Sequence, residues 1–138
     1  MATAFYRWLV FNVTLECTDA HDKNFALMLD GTRVAASPLY DLATFAPYRQ
    51  EGATTYSAMK VGGEYRFESI SPTTLAAAAK TLRIDSGWAA KEVERIRSRA
   101  LEAFESVRDE LVSTHPATRE FADHVVLSVS RIERLGWI

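Results

Sequence analysis

Between Thr3 and Glu16 apolar side chains fall on nearly every side of the chain: Phe5, Trp8, Leu9, Val10, Phe11, Val13 and Leu15. A helix that is apolar all round has to be buried, because no single orientation hides all of its side chains. The stretch is long for a buried strand, so it predicts a helix at the centre of the fold. The rest of the chain must then wrap it. With 138 residues there is material for one domain, and a chain of that size buries roughly two thirds of its unfolded surface. Composition agrees: 48% of residues are hydrophobic and 25% charged, as in a soluble globular domain.

The same numbers exclude several classes. Sixteen Lys and Arg against 18 Asp and Glu leave a net charge of 16 − 18 = −2, so no general field attracts nucleic acid. The single cysteine, Cys17, rules out an intrachain disulfide and a cysteine-built zinc site. It reads as a small buried hydrophobe. No run reaches the ~18 apolar residues of a membrane span. Arg7 and Asn12 interrupt the first apolar segment, so no secretory signal is read and a cytoplasmic protein is expected.

After the first helix comes a polar cluster, Glu16 to Asn24, and then a predicted strand, Phe25 to Leu29. Asp30-Gly31 is a hairpin-turn dipeptide, and Arg33 to Ala36 returns as the partner strand before Ser37-Pro38 breaks it. Residues 43 to 56 read as loop. Ser57 to Val61 and Tyr65 to Phe67 flank Gly62-Gly63 as a second hairpin. From Ser71-Pro72, a cap followed by proline at the first helical position, the pattern is purely helical. Leu75, Ala78, Ala79 and Leu82 line one helix. Ser86 is the expected cap of the next, with Val93, Ile96, Ala100, Phe104, Val107 and Leu111 on its stripe and the charged run Lys91 to Arg99 on its wet face. His115-Pro116 interrupts. A last helix carries Phe121, Val125, Ser128, Ile132 and Leu135 and ends at Gly136. Trp8, Trp88 and Trp137 read as packing residues, and His115 and His124 as surface or capping residues. The expected class is α+β, mostly α-helical, with two small β-hairpins.

Two loops carry the candidate chemistry: Thr18-Asp19-Ala20-His21-Asp22-Lys23-Asn24, and Pro38-Leu39-Tyr40-Asp41. A two-stranded hairpin brings the residues before its first strand close to those after its second. Asp19, Asn24 and Asp41 are therefore expected to meet at its open end, where two carboxylates and a carboxamide oxygen suit a hard cation such as magnesium. Asp19 and Asn24 also form Asp-x-x-x-x-Asn, the spacing of the protein-kinase catalytic loop. In that loop the aspartate accepts the substrate hydroxyl proton and the asparagine binds metal, while a second aspartate holds metal on the nucleotide phosphates. Lys23 would place positive charge against a transferring phosphoryl group.

The chain resembles the C-terminal kinase lobe of the HipA-like toxins, bacterial Ser/Thr kinases of toxin–antitoxin modules. The resemblance rests on Phe11-Asn12-Val13, on Thr18 to Phe25, on Ala36-Ser37-Pro38-Leu39-Tyr40-Asp41 and on Ala58 to Glu64, in that order along residues 1–138. It implies the C-terminal lobe of a protein-kinase-like fold and a role for each matching residue. Asp19 would be the catalytic base, with Lys23 near the terminal phosphate. Asn24 and Asp41 would bind Mg²⁺, and His21 would shape the loop rather than move protons. It implies ATP as the phosphoryl donor, a protein hydroxyl as acceptor (a glutamyl-tRNA synthetase is the best-known family target) and a DNA-binding antitoxin as partner. Direct nucleic-acid contact and a membrane are not expected; an apolar face without its partner lobe would also allow a homo-oligomer, which the sequence leaves open.

Three departures from the family pattern matter. Small residues including glycine usually precede Thr18, where Glu16 and Cys17 stand here. No glycine follows Asp41 as it follows the metal aspartate of ordinary protein kinases, although the HipA-like family tolerates this. The family's long N-terminal part, with its phosphate-covering loop and nucleotide-pairing lysine, has no counterpart, and the six glycines form no Gly-x-Gly-x-x-Gly. Mg²⁺ and ATP are thus expected to bind weakly, and the chain to be inactive alone. The alternative expectation is a non-catalytic interaction module that binds an antitoxin or a full-length kinase.

Overall fold

The computed structural model describes residues 1–134. Helix α1, Ala2–Thr14, buries Tyr6, Leu9, Val10 and Val13. The Tyr6 hydroxyl, out of reach of water, donates to the Leu75 carbonyl at 3.3 Å, as a buried phenol must. The helix is not covered all round, contrary to the sequence expectation: Trp8 and Phe11 are only half-buried. Phe5 and Trp8 instead hold Phe25, with ring centroids 5.1 and 5.8 Å away. With Phe25 turned onto α1, the first strand starts later than expected, as β1, Leu27–Asp30.

Strand β2, Arg33–Ala36, pairs antiparallel with β1, from Leu27 opposite Ala36 to Asp30 opposite Arg33. Side chains alternate between the two faces of a strand. Leu27, Leu29, Val34 and Ala36 therefore share one wholly apolar face, yet the first three are exposed, Leu29 at 76%. The second hairpin joins β3, Tyr56–Val61, to β4, Glu64–Arg66, around Gly62-Gly63, and it buries Ser57 and Val61. Gly62 has φ +59, and a Cβ there would stand 1.9 Å from the Thr74 carbonyl oxygen. Only glycine lets the turn lie on the following helix.

Three longer helices complete the fold. In α2, Pro72–Thr81, Ser71 and Thr74 form a reciprocal capping box. The cap of α3, Ser86–Thr114, is Asp85, whose carboxylate accepts from the Trp88 amide at 2.8 Å. Ser86, the expected cap, is instead the first helical residue, because a carboxylate suits the positive helix end better than a hydroxyl. The helix stops where Pro116 forces His115 out of helical backbone, at φ −136 and ψ 75. Helix α4, Arg119–Arg134, packs on α3 with Ala122, Val126, Val129 and Ile132 buried. Phe121 is 63% exposed and Val107 of α3 is exposed too, so both expected stripes are partly out of phase. Leu135, Gly136 and Trp137 lie outside the described residues.

Two apolar clusters result, one along α1 and one just beyond its C-terminal end. Tyr6, Leu9, Val10 and Val13 meet Val61, Phe67, Ile70, Leu75, Ala78, Ala79, Ala89 and Val93. Leu15 and Cys17 meet Ala46, Val129 and Ile132. The charged run on α3 is not wholly wet. Glu92 is buried and accepts from Arg7, at 2.8 Å, and from Arg95. The hydrogen bonds from Arg95, and then those from Arg7, outweigh burial and hold its carboxyl below the ordinary value.

Two outcomes follow. Gly62→Ala is expected to destabilise the chain in urea unfolding by more than the about 1–2 kcal/mol that left-handed backbone alone costs; Gly63→Ala, where added volume meets open space, serves as the comparison. Because Glu92 has a folded pKa below its unfolded 4.5, its contribution is present above that pH and is lost as pH falls through the folded value. Wild type should be more stable than Glu92→Gln at neutral pH, and the gap should close in acid; a pH-independent gap in thermal midpoints would refute this.

Candidate functional site

Helix α1 ends in a residue that fits poorly by type. Glu16 adopts φ +48, the left-handed region where glycine is preferred, and its side chain is buried. The carboxylate pairs with Arg49, which also reaches Glu68 at 3.0 Å. Burial still raises the Glu16 pKa, although Arg49 opposes it. The backbone adds further ties to the same segment. Phe45 N–H donates to the Glu16 carbonyl at 3.0 Å. The Thr44 hydroxyl donates to the Leu15 carbonyl at 2.5 Å and accepts from Ala46 N–H at 3.1 Å. The stretch after Asp41, including the 3₁₀ turn Ala46–Tyr48, is thereby bolted to the stretch before Thr18. Cys17 beside it is buried, with its thiol pushed up to about 12 by desolvation, an inert packing residue.

From this fixed base the first loop runs outward and returns through a 3₁₀ turn, Asp22–Asn24. Asn24 is buried. Its Nδ2 donates to the Asp19 carbonyl at 3.2 Å and to Asp41 Oδ2 at 3.5 Å. Of the three side chains that the hairpin argument brings together, those of Asn24 and Asp41 touch at its open end, whereas Asp19 reaches the same amide only through its backbone carbonyl. With Nδ2 so committed, the carboxamide Oδ1 accepts no hydrogen bond among the described residues and is left as a donor for a cation. Asp41 stands at φ +54, a conformation that aspartate tolerates better than most residues. The Tyr40 hydroxyl, next to it, donates to the Lys23 carbonyl at 2.6 Å.

The remaining candidates are placed differently. The Asp19 carboxylate is 80% exposed, with His21 Nε2 3.9 Å from its Oδ1. The His21 Nδ1 is buried without a hydrogen-bond partner among the described residues. Lys23 is exposed and makes no ion pair among them. Nor do three or more His, Cys, Asp or Glu side chains cluster there as a metal cage. Sequence reasoning missed the Glu16–Arg49–Glu68 network and the Tyr40 bond. The one available signal was Glu16 standing where the family has small residues.

A buried helix leading into a tied loop, a short hairpin, a second tied loop and a helical tail define an α+β unit of the HipA type. The family model described as HipA-like C-terminal domain matches residues 1–114, and the chain belongs to that family. Among solved structures it is similar to HipA in the Shewanella oneidensis MR-1 toxin–antitoxin complex of HipA, HipB and operator DNA. The TM-score is 0.76 at 25% identity, over 94% of this chain and 30% of that one. The chain therefore spans less than a third of that HipA. No curated protein matches it. No helix among the described residues is long and apolar enough to cross a membrane.

Removing one partner of a buried ion pair costs about 3–5 kcal/mol. Arg49→Met should therefore destabilise strongly at neutral pH. It should do so much less in acid, where Glu16 takes up a proton and the buried charge disappears. Glu16→Gly, which removes the charge and suits the left-handed backbone, should be milder than Arg49→Met in the same urea titration; the reverse order would refute the network.

Proposed function

We propose that this chain is the metal-holding, base-bearing lobe of a HipA-like Ser/Thr protein kinase, completed by a polypeptide segment that covers the nucleotide phosphates. The observation that carries this is the Asn24–Asp41 contact of 3.5 Å at the open end of the first hairpin. Two oxygen donors without a cage of carboxylates fit a Mg²⁺ ion that draws its other ligands from phosphate and water. When bound, the metal would neutralise phosphate charge. Asn24 and Asp41 would hold it, and Asp19 would accept the proton of a protein hydroxyl. The exposure of Asp19 lets a macromolecular substrate reach it. Lys23, also free in solvent, would approach the transferred group. Alone, the lobe lacks a second wall to exclude water, so ATP should bind weakly. By likeness to a HipA solved with HipB, a HipB-like antitoxin is the proposed partner.

A second reading, a non-catalytic interaction module, is favoured by the open apolar face of Leu27, Leu29 and Val34. Mn²⁺ binding without added nucleotide, which would itself chelate the ion, followed by electron paramagnetic resonance, separates the two. The kinase reading expects Asn24→Ala and Asp41→Asn each to weaken Mn²⁺ at least tenfold, and Asp19→Asn to leave it nearly unchanged. In assays with an added HipA N-terminal segment, Asp19→Asn should abolish phosphate transfer. Equal Mn²⁺ affinity in wild type and Asp41→Asn would favour the interaction module.

A further inference from the structure

We infer that Tyr40 is a positioning residue for the Asn24–Asp41 pair, its hydroxyl setting the distance between the two loops that carry them. The inference rests on the metal-holding reading above. Tyr40 belongs to the Pro38-x-Tyr40-Asp41 motif but has no part in the chemistry proposed for it. Its hydroxyl donates to the Lys23 carbonyl at 2.6 Å, a short bond. Lys23 immediately precedes Asn24, and Tyr40 immediately precedes Asp41, so this bond joins the two residues next to the pair. The direct Asn24–Asp41 contact, at 3.5 Å, lies at the limit of a hydrogen bond and restrains little by itself. Asp41 also sits in left-handed backbone, which needs outside support.

Packing does not account for the tyrosine. The residue is 44% exposed and belongs to neither apolar cluster. Satisfying the carbonyl does not account for it either. Lys23 is the middle residue of a single 3₁₀ turn at the surface, and water can satisfy a carbonyl there. What the hydroxyl adds that water cannot is a covalent link to the residue beside Asp41. Removing it should leave the fold intact and let the two oxygen donors drift apart, and a divalent cation tolerates such drift poorly.

The test is Tyr40→Phe in the full chain, with Mn²⁺ alone as the probe. Mn²⁺ affinity should fall about tenfold while the urea midpoint stays at the wild-type value. Tyr40→p-aminophenylalanine, which restores a donor at similar reach, should recover most of the loss. In ¹⁵N spectra without metal, the Asn24 side-chain amide should shift or broaden in Tyr40→Phe. Wild-type Mn²⁺ affinity in Tyr40→Phe, or a loss accompanied by an equal fall in global stability, overturns the inference. If wild type itself binds no Mn²⁺, the metal-holding reading fails on its own, and the amide spectra then decide: an unmoved Asn24 signal overturns the role of Tyr40, and a displaced one upholds it.

Discussion

The pairing of buried Glu16 with half-buried Arg49 is the contact on which the site's placement depends. A carboxylate taken out of water at the end of α1 is costly unless a cation follows it. Arg49 follows it from 33 residues away and carries the chain after Asp41 back beneath the first loop. Glu68, on the turn after β4, holds the other side of the same guanidinium and accepts from the Thr55 amide at 3.1 Å. One arginine thus fixes three segments at once: the end of α1, the stretch after Asp41 and the second hairpin. Once these are fixed, the two loops have short, determined spans, and the hairpin between them sets where Asn24 and Asp41 can lie.

Two non-glycine residues in left-handed backbone frame this arrangement, Glu16 before the first loop and Asp41 at the end of the second. Each sits where the chain must turn sharply and where its side chain has a partner, Arg49 for one and Asn24 for the other. A glycine would relieve the backbone at either place and would lose the side-chain contact. The departure from small residues ahead of Thr18 therefore has a physical sense here: local strain is exchanged for a long-range tie.

What the sequence disclosed, and what it concealed, divides along the range of the forces involved. Gly62-Gly63, Ser71-Pro72 and His115-Pro116 act through backbone sterics within a few residues, and all three mark real boundaries. The meeting of Asn24 with Asp41 was legible because antiparallel pairing brings the two ends of a hairpin together. Long-range electrostatics left no such trace. Arg7 and Glu92 are 85 residues apart, and Glu92 lies within a run of charges that reads as solvated. The phase of α4 was ambiguous for a different reason. Phe121 and Val125 offer one stripe and Ala122, Val126 and Val129 another, and the large ring stays outside where the close approach of α4 to α3 favours small residues.

The first hairpin remains the least satisfied part of the fold. An isolated two-stranded hairpin is marginal in water. This one is held at its base by Phe25 against α1, by Ser37 N–H donating to the Ala26 carbonyl at 2.9 Å and by Tyr40. Its outer half, with Leu29, has no cover among the described residues. The candidate site opens at that base, so it lies at an edge rather than in an enclosed cleft. Charges at an edge act through a high dielectric, where a unit pair at 4 Å is worth on the order of 1–4 kcal/mol against much more in a dry interior. Among the described residues no surface excludes water from Asp41, so at this edge the contact between the two loops, and not a dry environment, is what orders it against buried Asn24.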